Sequence, residues 1–245
     1  MTLLRFLPEG AAFVAGMMNS VAGGGGFLSF PALIAAGIPP IPANATSNAA
    51  LWVGNIGSAR GYSTELREQR ALLAPVLAVS IVGGVLGAVL LVVTPSTIFE
   101  RLIPWLLLFA TALFAASPLL VRTQRRAPHH AWWQLVAQFL VAIYGGYFGA
   151  GMGIVMLAIL SFTGFPNFNA TNAVKNLLSV AINGVALIPF AIARLVDWRL
   201  ALPMAVLALA GGYAGARLFR RLPPIYARVT VITIGTVMTV VFFRR

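Results

Sequence analysis

Apolar positions in this chain run continuously and do not alternate with polar ones, and they recur in two sets of five segments. The first set covers 11–21, 27–36, 44–59, 71–93 and 102–121. The second covers 132–148, 154–165, 176–193, 200–216 and 229–243. Continuous runs without period-two alternation predict helices, because a helix satisfies its own backbone in lipid. Segments 71–93 and 102–121 suit a hydrocarbon core of about 30 Å, which takes roughly 20 residues per helix. The first two segments of each half are short. They read either as a re-entrant hairpin or as thin, broken crossings.

Polar and glycine positions interrupt both sets in the same order. Gly23-Gly24-Gly25-Gly26 is followed by Asn44-Ala45-Thr46-Ser47-Asn48, and Gly149-Ala150-Gly151-Met152-Gly153 by Asn169-Ala170-Thr171-Asn172-Ala173. Gly26 to Asn44 and Gly151 to Asn169 are both 18 positions. Further on, Pro75 matches Pro203, Gly83, Gly84 and Gly87 match Gly211, Gly212 and Gly215, and Pro95 matches Pro223. Small residues at these spacings read as helix-packing contacts. The expected architecture is an all-α integral membrane protein of two inverted repeats. Each repeat has a glycine-broken short helix pair plus three spanning helices, in 1–121 and 132–245, joined by a basic linker at 122–131.

Composition strengthens the membrane reading. Of 245 residues, 60% are hydrophobic and 9% charged, and mean hydropathy is +0.91, too little charge for a soluble domain of this size. The net charge of +12 suggests nucleic acid until its placement is read. The arginines stand at segment ends, as topology charges do, so no nucleic-acid partner is expected. With the 122–126 loop inside, Arg60, Arg67, Arg70, Arg122, Arg125, Arg126, Arg217, Arg220, Arg221 and Arg228 fall inside. Arg5, Arg101, Arg194, Arg199, Arg244 and Arg245 fall outside. That bias and an odd number of crossings per half put both termini outside. There is no cysteine, which removes thiolate chemistry and Cys-based metal sites. His129 and His130 lie in a basic loop without acidic partners, so no metal is expected there. Arg5 with Pro8 and Glu9 reads as the start of the first membrane segment, not a removed signal.

Candidate binding groups sit where the backbone breaks. A helix starting after Gly24, Gly25 and Gly26, and another after Gly151 and Gly153, would aim open N–H groups and a partial positive charge at an anion. Asn44, Thr46, Ser47, Asn48, Asn169, Thr171 and Asn172 would add uncharged donors and acceptors. Asn44 and Asn169 also suit helix N-caps, a role compatible with binding. Lys175, the only lysine, follows a long uncharged stretch. It reads as a counter-charge for an anionic ligand, or as a donor to backbone carbonyls. Asn55 and Asn183 either line the path or bond helix to helix. Trp132, Trp133 and Trp198 read as interfacial residues. All five acids, Glu9, Glu65, Glu68, Glu100 and Asp197, lie at segment ends or in loops, so no buried carboxylate relay is expected. No HExxH, GxSxG or P-loop pattern occurs, so neither an enzyme nor an ATP-driven pump is expected, and no cofactor.

These residues resemble the TauE/SafE sulfite exporter family. The likeness rests on Ala15-Gly16, Gly23 to Phe27, Pro31-Ala32-Leu33 and the Ala43 to Ser47 stretch in the first half. In the second half it rests on Gly149 to Gly153, Asn169-Ala170-Thr171, Asp197-Trp198-Arg199 and Gly211 to Arg217. The resemblance implies a multi-pass transporter of the bacterial inner membrane. It would export small sulfur-containing or carboxylate anions, with sulfite, sulfoacetate and related sulfonates as substrates. The expected mechanism is alternating access around a central site between inverted repeats. The alternatives are a proton- or sodium-coupled importer of an organic anion, and a structural membrane protein with no transport cycle. A homodimer fits a small repeat protein in lipid.

Overall fold

A computed structural model describes residues 7–21, 23–68, 70–121, 132–160, 168–218 and 224–244. The basic linker, Arg5, His129, His130, Arg220, Arg221, Pro223, Arg245 and the 161–165 end of the seventh segment lie outside the described residues. All regular structure among the described residues is helical. The first half contains α1 (Leu7–Val21), α2 (Gly26–Ala35), α3 (Pro40–Gly61), α4 (Ser63–Glu68), α5 (Arg70–Val93) and α6 (Ser96–Val121). The second contains α7 (Trp132–Tyr147), α8 (Met152–Leu160), α9 (Phe168–Ile192), α10 (Trp198–Leu218) and α11 (Pro224–Phe243).

Ten of these helices match the ten apolar segments, and the short α4 is an addition to them. Leu73–Val93, Phe168–Ile192 and Trp198–Leu218 are long and apolar enough to cross a membrane. The ten residues of α2 and nine of α8 rise about 15 Å at 1.5 Å per residue, half a hydrocarbon core. An apolar face of α5, with Val82, Val85, Leu86, Val89 and Leu90, is exposed, as are Trp105, Trp132 and Trp198. That surface suits lipid tails and an interfacial aromatic belt.

The two halves interlock. Helix α1 packs chiefly against α10, and α5 against α7, so the first segment of each half lies on the fourth segment of the other. Glycines make these contacts close. A Cβ at Gly87 would run into the carbonyl of Ile143, one at Gly211 into that of Phe13, and one at Gly215 into Met17. Gly84 and Gly212 face α9 and α3: their added Cβ atoms would meet the backbone at Ile182 and Gly54. The glycines matched between halves therefore touch equivalent helices of the opposite half. Contacts of this kind fix helix spacing where water supplies no hydrophobic driving force.

Candidate functional site

Both broken segments end in the same local geometry. The Gly23 N–H bonds back to the Met18 carbonyl, and the Gly149 N–H to that of Tyr144. Gly23 (φ +78°) and Gly149 (φ +76°) are left-handed, a backbone state that a glycine adopts without steric cost and that commonly closes a helix. The strand of chain beyond each break is held by a different group. Asn19 Oδ1 accepts from the Gly25 N–H at 2.7 Å. The Tyr144 hydroxyl donates to the Ala150 carbonyl at 2.6 Å.

The two breaks meet in the middle of the protein. A Cβ at Gly23 would stand 2.5 Å from Gly153 Cα, and one at Gly26 would stand 2.8 Å from Ala150 Cα. Backbone lies on backbone with no side chain between. The N-terminal ends of α2 and α8 are thereby brought to one place, but the N–H groups of Phe27, Leu28, Met152 and Ile154 are not the open donors expected there, because the carbonyls of Gly24, Gly25, Gly149 and Gly151 accept from them in tight turns.

A helix that stops at membrane depth leaves carbonyls without partners, and lipid offers none. The opposite half supplies donors. Asn44 Nδ2 donates to the Tyr147 carbonyl at 3.0 Å, closing α7. Asn172 Nδ2 donates to the Ser20 carbonyl at 2.7 Å and Asn176 Nδ2 at 3.4 Å, closing α1. Lys175 Nζ donates to the Asn19 carbonyl at 2.6 Å, from a side chain only 1% exposed. Of the two readings of the lysine, the carbonyl contact is the one in this structure. Removing one such donor strands a buried carbonyl, at about 1–3 kcal/mol. Asn44→Ala is expected to destabilise the protein by that amount, measured as thermal unfolding in detergent; unchanged stability would remove the capping role.

Beside the meeting of the breaks lies a pocket of about 20 Å³, lined by uncharged residues. Gly23, Gly26, Gly149, Ala150 and Gly153 form its backbone wall, and Phe30, Leu51, Phe148 and Met152 its apolar wall. Its polar groups are Asn19, Asn44, Ser47, Asn48, Asn55, Ser179 and Asn183. Asn48 Nδ2 donates to Asn183 Oδ1 at 3.3 Å across the α3–α9 crossing, and Trp52 Nε1 to the Val180 carbonyl at 3.0 Å below it. Asn183 therefore both lines the pocket and bonds helix to helix. The Ser47 and Ser29 hydroxyls are 2.6 Å apart.

Of the expected site residues, Gly26, Asn44, Ser47, Asn48 and Gly153 line the pocket. Gly24, Gly25 and Gly151 are buried and outside its lining, with Gly151 packed on Phe27 and Ala110. Thr46 Oγ1 accepts from the Asp197 N–H at 2.9 Å, on the far side of α3. Thr171 and Asn172 are buried outside the lining, and Asn169 is exposed. Lys175 stands one layer back, where a Cβ at Gly153 would lie 3.2 Å from its Cδ. Neither asparagine is an N-cap. Helix α3 starts at Pro40, which suits a first-turn position, so Asn44 falls in its second turn. Asn19 and Ser179 were not singled out from sequence. The uncharged Met17-Met18-Asn19-Ser20 run before the glycines was the available signal for Asn19.

The sulfite exporter TauE/SafE family matches residues 10–242. A probable membrane transporter protein, ORF9, of a Sinorhizobium species is 31% identical over 88% of this chain and 82% of its own length. The probable membrane transporter protein YfcA of Escherichia coli K12 is 30% identical over 93% of this chain and 85% of its own. A probable membrane transporter protein of Haemophilus influenzae is 27% identical over 93% and 89%. No solved structure matches the chain. Two duplicated glycine breaks that meet beside an uncharged polar pocket, and a family match over nearly the whole length, lead to one assignment: the chain belongs to the TauE/SafE family of membrane transporters.

Proposed function

We propose that this protein carries a small sulfur-containing or carboxylate anion, such as sulfite, sulfoacetate or a related sulfonate, out across the bacterial inner membrane by alternating access. The observation that carries the reading is the convergence of the α2 and α8 N-terminal ends on one uncharged, amide-lined pocket. Helix N-termini and amide N–H groups stabilise negative charge without a buried ion pair. Lys175 behind Gly153 supplies positive charge at short range, and a cation inside a membrane segment is costly enough to imply use. Residues 1–121 and 132–245 act as inverted repeats, each with a broken helix pair and three spanning helices. The reciprocal packing of α1 on α10 and α7 on α5 supports that two-fold relation. Both termini lie outside, and rocking of one set of helices on the other about the glycine contact exposes the pocket alternately and widens it, since at about 20 Å³ it has room for about one water. An inside-negative potential drives anion exit by about 2.3 kcal/mol per charge per 100 mV, so coupling to another ion is not required.

The test is electrical. The protein is reconstituted in liposomes, and sulfite, sulfoacetate, sulfate, taurine or succinate is added with no ion gradient imposed. Charge movement with one or two of these anions is the expected result. Silence for all of them from folded protein, with flux appearing only under a proton or sodium gradient, would replace this reading with a coupled carrier.

A further inference from the structure

The pocket is not uniformly a donor site. Asn19 Oδ1 is held by the Gly25 N–H. A backbone N–H only donates, so this amide has a fixed orientation and offers its NH2 to the pocket. Asn44 Nδ2 is held by the Tyr147 carbonyl. A carbonyl only accepts, so this amide is fixed the other way and offers its oxygen. Asn48 and Asn183 bond to each other, leaving the Asn48 Oδ1 buried without a partner and the Asn183 NH2 free to donate. Turning both amides of that pair together exchanges their roles and still leaves one oxygen and one NH2. All four residues line the pocket, and none carries a charge that a ligand could override.

We infer that the substrate is bipolar: a compact anion that carries a hydrogen-bond donor of its own, a hydroxyl, a protonated oxygen or an ammonium, set against the Asn44 and Asn48 oxygens while Asn19 and Asn183 hold its anionic head. The inference rests on the anion-carrier reading and narrows it. An anion made only of acceptors leaves the two amide oxygens unsatisfied and turns them toward its own negative charge. A site that hydrogen-bonds a ligand hydroxyl discriminates strongly against the analogue without it, because its own buried group is then left unpaired.

Matched pairs of equal charge test this: 2-hydroxyethanesulfonate against ethanesulfonate, and glycolate against acetate, each run beside sulfite on the reconstituted protein. The hydroxylated member is expected to compete or move at least about tenfold better, the equivalent of one unsatisfied buried acceptor. The double variant Asn48→Leu/Asn183→Leu, which removes that pair's free oxygen together with its partner, and Asn44→Leu, which removes the Asn44 oxygen, are each expected to narrow that preference. Equal handling of both members of each pair overturns the bipolar site and leaves the anion carrier standing. A preference that survives both variants undiminished also overturns it. No movement of any of these anions, sulfite included, overturns the anion carrier and the bipolar site together.

Discussion

Gly23→Ala and Gly153→Ala are each expected to abolish transport and to lower stability, Gly23→Ala the more. The added methyl of Gly23→Ala would stand 2.5 Å from Gly153 Cα, and that of Gly153→Ala 2.7 Å from Gly23 Cα. Neither partner has a side chain that can turn away, so the α2 and α8 ends must separate. Overpacking of this kind typically costs about 1–3 kcal/mol. Gly23 adds the cost of a left-handed backbone, roughly 1–2 kcal/mol for a residue with a Cβ. Together these form a large fraction of a stability of about 5–15 kcal/mol. Gly10→Ala is the control, because nothing lies within 4 Å of its Cβ position in α1. It should be neutral or stabilising by up to about 1 kcal/mol. Detergent unfolding curves and liposome flux report both effects. Wild-type behaviour of Gly23→Ala would show that the breaks separate freely and would remove the glycine contact as a pivot.

Lys175→Met is expected to separate stability from function. The substitution keeps the length and apolar stem, removes the ammonium and frees the Asn19 carbonyl. Losing a hydrogen bond from a charged group costs about 1.5–3 kcal/mol. Against this, a desolvated charge is no longer held inside, and replacing buried ionic groups with well-packed apolar ones is often neutral or stabilising. Net stability is expected to stay within about 2 kcal/mol of wild type. Flux is expected to fall by more than tenfold, because the pocket lining itself carries no charge and Lys175 is the cation behind it. An unchanged unfolding temperature with lost flux assigns the lysine to transport. Full flux in the variant would restrict it to holding the end of α1.

Much of this was legible from the order of residues. Helix-forming segments follow from continuous apolar runs, and the two breaks follow from glycine clusters, because both are local properties of the backbone. Matched glycines in α5 and α10 could be read as contacts for the same reason: a missing Cβ is visible in sequence. Their partners could not. Gly87 touches α7 and Gly215 touches α1, a crossing between halves that no local pattern encodes.

The amides show the limit most clearly. Sequence marked Asn44, Asn172 and Lys175 as polar groups at membrane depth, where each must find a partner. It did not say which partner. In the folded protein Asn44 closes a helix 103 positions away, and Lys175 one 156 positions away. That decision leaves Asn44 with an oxygen for the pocket and sets Lys175 behind the wall. Asn169 matches Asn44 in sequence but is exposed, and Asn183 stands in the pocket instead. The sequence by itself determined the segments, the breaks and the polar groups available, through backbone conformation and the cost of burying polarity in lipid. Only the tertiary structure decided which end Asn44, Asn48 and Asn183 turn to the pocket, because that depends on a partner brought from the other half of the chain, the Tyr147 carbonyl for Asn44 and the facing amide for the other two.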